Sequence, residues 1–363
     1  MMRLPWVIEP RIGRTGARSL LAPLIAVVTT IIAAIILMSS QSVAPLAALW
    51  QLYIAPLSSL YNLSEVLLKM APLLIIAQGL AIGFRAKVWN IGAEGQLILG
   101  AIGGSLFPLW FNDSVNPMML PAMALFGMLF GMGWAALAAF LRTRFNANEI
   151  LVTLMLNSIG LQLLYYLISG PLRDPYGFNF PQSALFPQVA MLPSLFGLGR
   201  ANISIIVALL LTAAAWLFVE RSLTGYKLQV GGVAPDAARY AGFREKRAVW
   251  VSLCIGGAAA GLAGVFEVAG PLGQLQRVVS PGYGFAAIIV AFLGGLNAIG
   301  ILFAAFFMAV IYVGGDMAQA SAGVPYAVNT SLQGVLLISY IAARLFVDHR
   351  VRWRRDLSQQ GAN

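Results

Sequence analysis

Apolar and polar positions separate along this chain on the length scale of a lipid bilayer, not of a helix face. A hydrocarbon core takes about 20 mainly apolar residues at about 1.5 Å each, and Leu20 to Met38 meets that length alone. Further apolar stretches run from Leu67 to Phe84, Ile91 to Trp110, Met118 to Leu141, Ile150 to Ser169, Ile203 to Val219 and Ala248 to Ala269. Beyond the break at Gly270-Pro271 come a short segment, Gly284 to Gly295, then Ile299 to Val313 and Thr330 to Phe346. The pattern predicts an all-α, polytopic transmembrane helical bundle of about ten spans.

Lys and Arg placement orients the bundle. They cluster in Met1 to Ser19, at Arg85 and Lys87, at Arg142 and Arg144, from Arg221 to Arg247, and from Arg344 to Arg355. With ten spans, 19 of the 23 basic residues share one side with both termini, and the positive-inside rule makes that side cytoplasmic. Lys69, Arg173, Arg200 and Arg277 remain outside. The net charge of +10 is thus read as a topology signal. Nucleic-acid binding would need a basic face with stacking aromatics on a soluble domain, and none is visible.

Composition agrees: 60% of the 363 residues are hydrophobic and 10% charged, too little polar surface to cover a soluble globule. The single cysteine, Cys254, and single histidine, His349, exclude disulfide frameworks, Cys/His metal sites and intramembrane Cys-His or Ser-His nucleophile pairs. Arg11, Arg14 and Arg18 precede the first apolar run as in a secretory signal. That run exceeds the roughly 7 to 15 residues of a signal's apolar core and leads into further spans, so it reads as a signal anchor. The expected organisation is a basic cytoplasmic arm (1–19), a membrane domain (20–347) with a cytoplasmic loop at 220–247, and a basic tail (348–363). The outer segment Gly170 to Ala201, rich in proline, is expected to pack over the bundle as a loop with short helical turns.

Polar residues inside spans are the candidates for chemistry, because bare polar groups in lipid are costly. Lys87 to Gln96 places Asn90, Glu94 and Gln96 with Gly92 and Gly95 at the entrance of an apolar span. Two readings stand: a helix start with Glu94 at the positive dipole end, or a direct part in transport; both bury the segment. Gln78, Asn157, Gln162, Glu267 and Gln333 are further pathway candidates, with Asn157 and Glu267 preferred. Small residues at spacings of three or four are read as helix-packing devices: Gly79 with Gly83, Gly127 with Gly131 and Gly133, Gly256 to Gly264, and Gly294 with Gly295.

In the long loop, Pro235 to Gly242 has the order of a short helix: Pro in the first turn, Asp236 beside the positive end, Gly242 after the last turn. Ala237, Tyr240 and Ala241 share one face by helical spacing, which suits docking into a partner's groove or lying on lipid headgroups. The chain's four lysines follow Leu68, Ala86, Tyr226 and Glu245, so no P-loop ends in Gly-Lys-Ser/Thr.

Three ordered motifs resemble the permeases of bacterial ABC importers in the branched-chain amino acid, ribose and nucleoside group. They are Asn90 to Gln96, Gly232 to Gly242, and Pro281 to Ile288 followed by Leu293-Gly294-Gly295. The resemblance extends over roughly residues 20 to 347, and the Asn-Ile-Gly-x-Glu-Gly-Gln form with the basic arm looks most like the nucleoside and simple-sugar permeases. It implies a multi-pass protein of the bacterial cytoplasmic membrane, without an ATPase site or cofactor of its own. The implied partners are ABC ATPase subunits, which bind ATP, a second permease (identical or different), and an extracytoplasmic solute-binding protein. The cargo would be a small polar solute. Pro235, Asp236, Ala237, Arg239, Tyr240 and Gly242 would form a coupling helix, with Ala237, Arg239 and Tyr240 as transmission contacts. Tyr283 and Phe285 join Asn90, Glu94, Gln96, Asn157 and Glu267 as pathway candidates. Relatives often carry a polar residue before the Pro, where this chain has Gly231-Gly232-Val233-Ala234.

An ion-coupled secondary transporter using Glu94 or Glu267 is the competing expectation. An intramembrane enzyme ranks below both, since no nucleophile, base or metal constellation is present.

Overall fold

The computed structural model describes residues 6–10, 21–40, 44–111, 116–195, 197 and 199–353. Arg3, Arg11, Arg14 and Arg18 of the expected basic arm, and Arg354 and Arg355 of the tail, lie outside the described residues. The fold is helical apart from one short ribbon. Its helices are α1 (Leu21–Ser40), α2 (Pro45–Leu49), α3 (Leu60–Arg85), α4 (Ala93–Trp110), α5 (Met119–Phe145), α6 (Glu149–Ser169), α7 (Ser204–Arg221), α8 (Leu223–Val233), α9 (Pro235–Tyr240), α10 (Glu245–Glu267), α11 (Tyr283–Leu293), α12 (Ala298–Ala322) and α13 (Tyr326–Asp348). Each apolar stretch of the sequence falls on one helix. Among the described residues, eight of these are long and apolar enough to cross a membrane, α10 running on through a π-helical turn to Leu272. The expected third and eighth spans fall outside that set for different reasons. α4 opens with Glu94 and Gln96, and α11 has only 11 residues, about 17 Å or half a hydrocarbon core.

The chain forms two compact units divided between Gly314 and Gly315, inside α12. In the smaller, α1 packs along α13, and Ala34, Met38, Leu52, Val324, Val328 and Leu332 form a shared apolar core. There the two chain ends meet: β1 (Trp6–Pro10) pairs antiparallel with β2 (His349–Trp353), Ile8 opposite Val351. An all-helical expectation omitted this ribbon, because isolated five-residue strands carry no periodic signal above the basic residues around them.

The larger unit (55–314) is built around α10, which touches α3, α4 and α5. Glycine makes this possible. Gly261 of α10 meets Gly100 of α4 and Gly127 and Gly131 of α5, and Gly256 lies against Gly79 of α3. With little hydrophobic drive between helices in lipid, such close backbone approach supplies the dispersion contacts that hold a bundle. Two of the expected packing glycines act otherwise: Gly133 has open space where a Cβ would stand, and Gly295 sits at φ +63° in a turn.

The long loop also differs from expectation. Besides the expected short helix, α9, it holds a second one, α8, which Ser222 caps by accepting from Gly225 N–H at 2.9 Å. The segment after α6 is a covering loop, as expected, with a single-turn helix at Gln188–Ala190 and isolated bridges Gln182↔Gln276 and Ser194↔Asn202.

Candidate translocation site and coupling surface

The polar stretch at the entrance of the expected third span folds as a connector that turns back into the larger unit. After α3 ends, Lys87 takes a left-handed backbone (φ 54°), and residues 88–92 run irregularly until α4 begins at Ala93. The buried amides of this connector and several of its backbone groups are paired within the protein. Asn90 and Gln96 exchange two amide hydrogen bonds (2.9 and 3.1 Å), and Asn90 Oδ1 also accepts from Gly92 N–H. Asn157 of α6 accepts from Gly95 N–H at 2.8 Å and donates to the Ile91 carbonyl at 2.8 Å. Thr153 Oγ1 receives Ile91 N–H. Non-helical backbone at membrane depth is tolerated only when satisfied by protein in this way. Gly92 and Gly95 are required by space, since a Cβ on either would stand 2.9 Å from α6 atoms.

α11 begins against this connector. Its first turn is capped by Ser280 Oγ, which accepts from Gly282 and Tyr283 N–H, and Gly282 turns the chain at φ +93°. Glu94, in the first turn of α4, accepts a hydrogen bond from Gly284 N–H at 2.7 Å. One carboxylate therefore lies at the N-terminal ends of two helices, where both dipoles favour negative charge. Tyr283 is buried edge-on to Tyr312 (centroids 5.4 Å), whereas Phe285 is 45% exposed.

The other end of α11 is held beside the end of α3. Arg85 donates to the Leu296 carbonyl from Nε (2.8 Å) and Nη2 (2.6 Å) and pairs with Glu220 at 3.4 Å. Phe84, Trp89 and Phe292 stack with centroids 5.1–5.9 Å apart. The α11–α12 turn thus sits at the same end as the termini of α3 and α7, and α11 covers the distance from there to Glu94. Replacing Arg85 with leucine strands the Leu296 carbonyl and is expected to cost about 1.5–3 kcal/mol. Glu220→Gln, at a side chain 46% exposed, should cost under about 1 kcal/mol. Thermal unfolding of the two variants in detergent measures the difference.

The expected pathway residues therefore divide. Asn90, Glu94, Gln96, Asn157 and Tyr283 converge on one site. Glu267 does not join them; it is buried within electrostatic reach of Lys69 and Arg200. Gln78 donates to the Ala298 carbonyl at 2.9 Å, Gln162 is exposed, and Gln333 lies in the smaller unit. Sequence reasoning missed Ser280, Thr153 and the Arg142–Glu149 ion pair joining α5 to α6. Asn148 before the apolar run, capping α6 through Ile150 N–H, was the available signal for the last.

α9 forms as its residue order predicts. Pro235 opens it, Asp236 lies in its first turn, and Gly242 closes it at φ +78° with its N–H bonded to the Arg239 carbonyl. Ala234 supplies no side-chain cap. Instead Gly232, at the end of α8, passes so close to the Arg85 carbonyl that a Cβ would stand 2.0 Å from it. Ala238 is the buried anchor (5% exposed), while Asp236, Ala237, Arg239 and Tyr240 point outward, Tyr240 being 98% exposed.

Residues 62–341 match the family model described as the branched-chain amino acid transport system / permease component. A glucose ABC transporter permease protein of Haloferax volcanii is 33% identical over 89% of this chain and 88% of its own length. A nucleoside ABC transporter permease protein of Lactococcus lactis is 30% identical over 91% and 93%. A guanosine ABC transporter permease protein of Bacillus subtilis is 30% identical over 95% and 98%. With a matched region that contains the connector, α9 and α11 in order, the chain belongs to the branched-chain amino acid transport system permease family and is a membrane-embedded permease subunit of an ABC transporter.

Proposed function

We propose that this subunit carries a nucleoside or simple sugar inward across a bacterial cytoplasmic membrane, driven by a separate ATPase that docks on α9. The observation carrying the reading is the form of α9: six residues anchored by one buried alanine, with Asp236, Arg239 and Tyr240 free to meet a partner. An exposed tyrosine and arginine are the residue types that dominate interface energetics. The substrate class rests on similarity to permease proteins of glucose, nucleoside and guanosine ABC transporters. Passage would involve a second permease, and an extracytoplasmic binding protein would deliver the solute. ATP-driven closure of the ATPases would push α9 and shift the bundle between inward and outward access.

The topology follows from two supports. The pairing of β1 with β2 supports a reading in which both termini lie on one side of the membrane. The Arg85–Leu296 link, which holds the α11–α12 turn beside Arg85 and Glu220, supports an even count in which α11 completes its passage. In the larger unit the Arg85 end also carries the basic residues Lys87 and Arg221, and the positive-inside rule would make that end cytoplasmic.

The test is a double substitution on α9. Arg239→Glu with Tyr240→Ala should lower ATP-driven uptake of labelled nucleoside at least about tenfold, as loss of an interface hot spot does. Membrane insertion and helical content should be unchanged, because both side chains are solvent-facing. Full uptake in the double variant would remove α9 from the coupling role.

A further inference from the structure

We infer that the cavity beside α9 is a binding site for a phosphate-bearing anion. It is a partly open concavity of about 520 Å³, between the connector after α3, the end of α5, and α8, α9 and α10, and this is within the range of small-ligand sites, about 300–1,000 Å³. Leu228, Ala238 and Val249 give it buried apolar walls.

Six cations line it: Lys87, Arg142, Lys227, Arg239, Arg244 and Arg247. Glu245 is the one carboxylate among its described lining residues. Arg142 is already occupied, paired with Glu149 and with Glu245 at 3.8 Å, and Lys227 lies over the Phe243 ring at 5.5 Å. Lys87, Arg239, Arg244 and Arg247 have no carboxylate within ion-pair distance among the described residues.

The positive-inside rule explains how many cations stand on this face, but not why three sequence-distant stretches, at Lys87, at Arg142 and from Lys227 to Arg247, bring theirs to one concavity. Like charges gathered over low-dielectric walls repel one another and focus a positive potential. A counter-charge in the cavity relieves both. Three unpaired guanidiniums favour an anion that accepts in bidentate fashion, and a phosphate group supplies several oxygens with one to two negative charges. The volume holds more than a bare ion, so the group belongs to a larger molecule: a phospholipid headgroup or a soluble phosphate compound. Occupancy would tie α9 to α10 and to the connector; Arg239 is shared with the proposed ATPase-docking surface, whereas Lys87, Arg244 and Arg247 belong to the cavity alone.

The full chain in phosphatidylcholine nanodiscs, titrated calorimetrically with inorganic pyrophosphate, tests the soluble source. Native mass spectrometry after reconstitution in mixed phosphatidylglycerol and phosphatidylcholine tests the lipid source. Saturable pyrophosphate binding, or selective retention of phosphatidylglycerol, is expected from one of these arms. The double variant Arg244→Gln/Arg247→Gln should weaken it at least about tenfold through loss of charge-assisted bonds, and added salt should weaken it further. Lys87→Gln, on a different segment, serves if the double variant elutes as aggregate. The inference is overturned if the wild-type chain takes neither probe, as it would be were the cavity reserved for an acidic side chain of a partner protein, or if the folded variants bind as well as the wild type.

Discussion

Gly261→Ala is expected to prevent assembly of the larger helical unit. An added Cβ would stand 2.1 Å from the Gly127 carbonyl oxygen and 3.1 Å from the Gly131 Cα. These are backbone atoms of α5, which no rotamer change moves aside. From the other helix, a Cβ on Gly100 would lie 2.2 Å from the Gly261 Cα, so α10 is clamped between α4 and α5 with no slack. Overpacking of a tight core costs about 1–3 kcal/mol or more, and here each displaced helix also loses the close contacts on which association in lipid depends. The variant should be recovered as aggregate, or unfold many degrees below the wild type in detergent. Gly133→Ala is the matched control: its Cβ meets nothing within 4 Å, so its unfolding midpoint should not fall. Equal midpoints for Gly261→Ala and wild type would contradict the clamped packing.

Glu94→Ala should abolish uptake while leaving a membrane-inserted chain. The carboxylate is the acceptor for Gly284 N–H at the start of α11, and its charge sits at two helix N-termini. Removing a charged hydrogen-bond partner costs about 1.5–3 kcal/mol, a tenfold to hundredfold rise in the population with α11 displaced. Glu94→Gln keeps the size but loses the charge and should fall between alanine and wild type. If Glu94 were an ion-coupling carboxylate instead, Glu94→Gln would uncouple uptake from the ion gradient and leave α11 in place. Protease accessibility or cysteine labelling at Phe285, already 45% exposed, reports the displacement directly. Alanine at position 94 with wild-type uptake would remove the carboxylate from the mechanism.

Much of this arrangement was legible in the residues. Apolar length located a helix for every expected span, because lipid imposes one length scale on all of them. Pro235, Asp236 and Gly242 delimited α9 correctly, since capping preferences are local. The Asn90 to Gln96 segment was recognisable as buried, but its amides were not recognisable as spent: Asn90 and Gln96 bond each other, and Asn157 bonds the connector backbone. Those partners are set by tertiary packing. For the same reason the Arg85–Leu296 link, 211 residues apart in sequence, left no trace in any local pattern. α8 was hidden for a different reason: its Gly231 and Gly232 read as loop, yet Gly232 is there to let α8 approach Arg85. The grouping of α1 with α13 likewise depends on contacts between the two extremes of the chain.

Uptake of labelled nucleoside or sugar into proteoliposomes, with and without the ATPase subunits, is the decisive measurement. With the complete transporter, uptake should require ATP and the solute-binding protein and survive collapse of proton and sodium gradients; this chain alone should move no solute. Accumulation by the isolated chain that follows an imposed ion gradient would contradict the coupling role proposed for α9 and make the protein a secondary transporter.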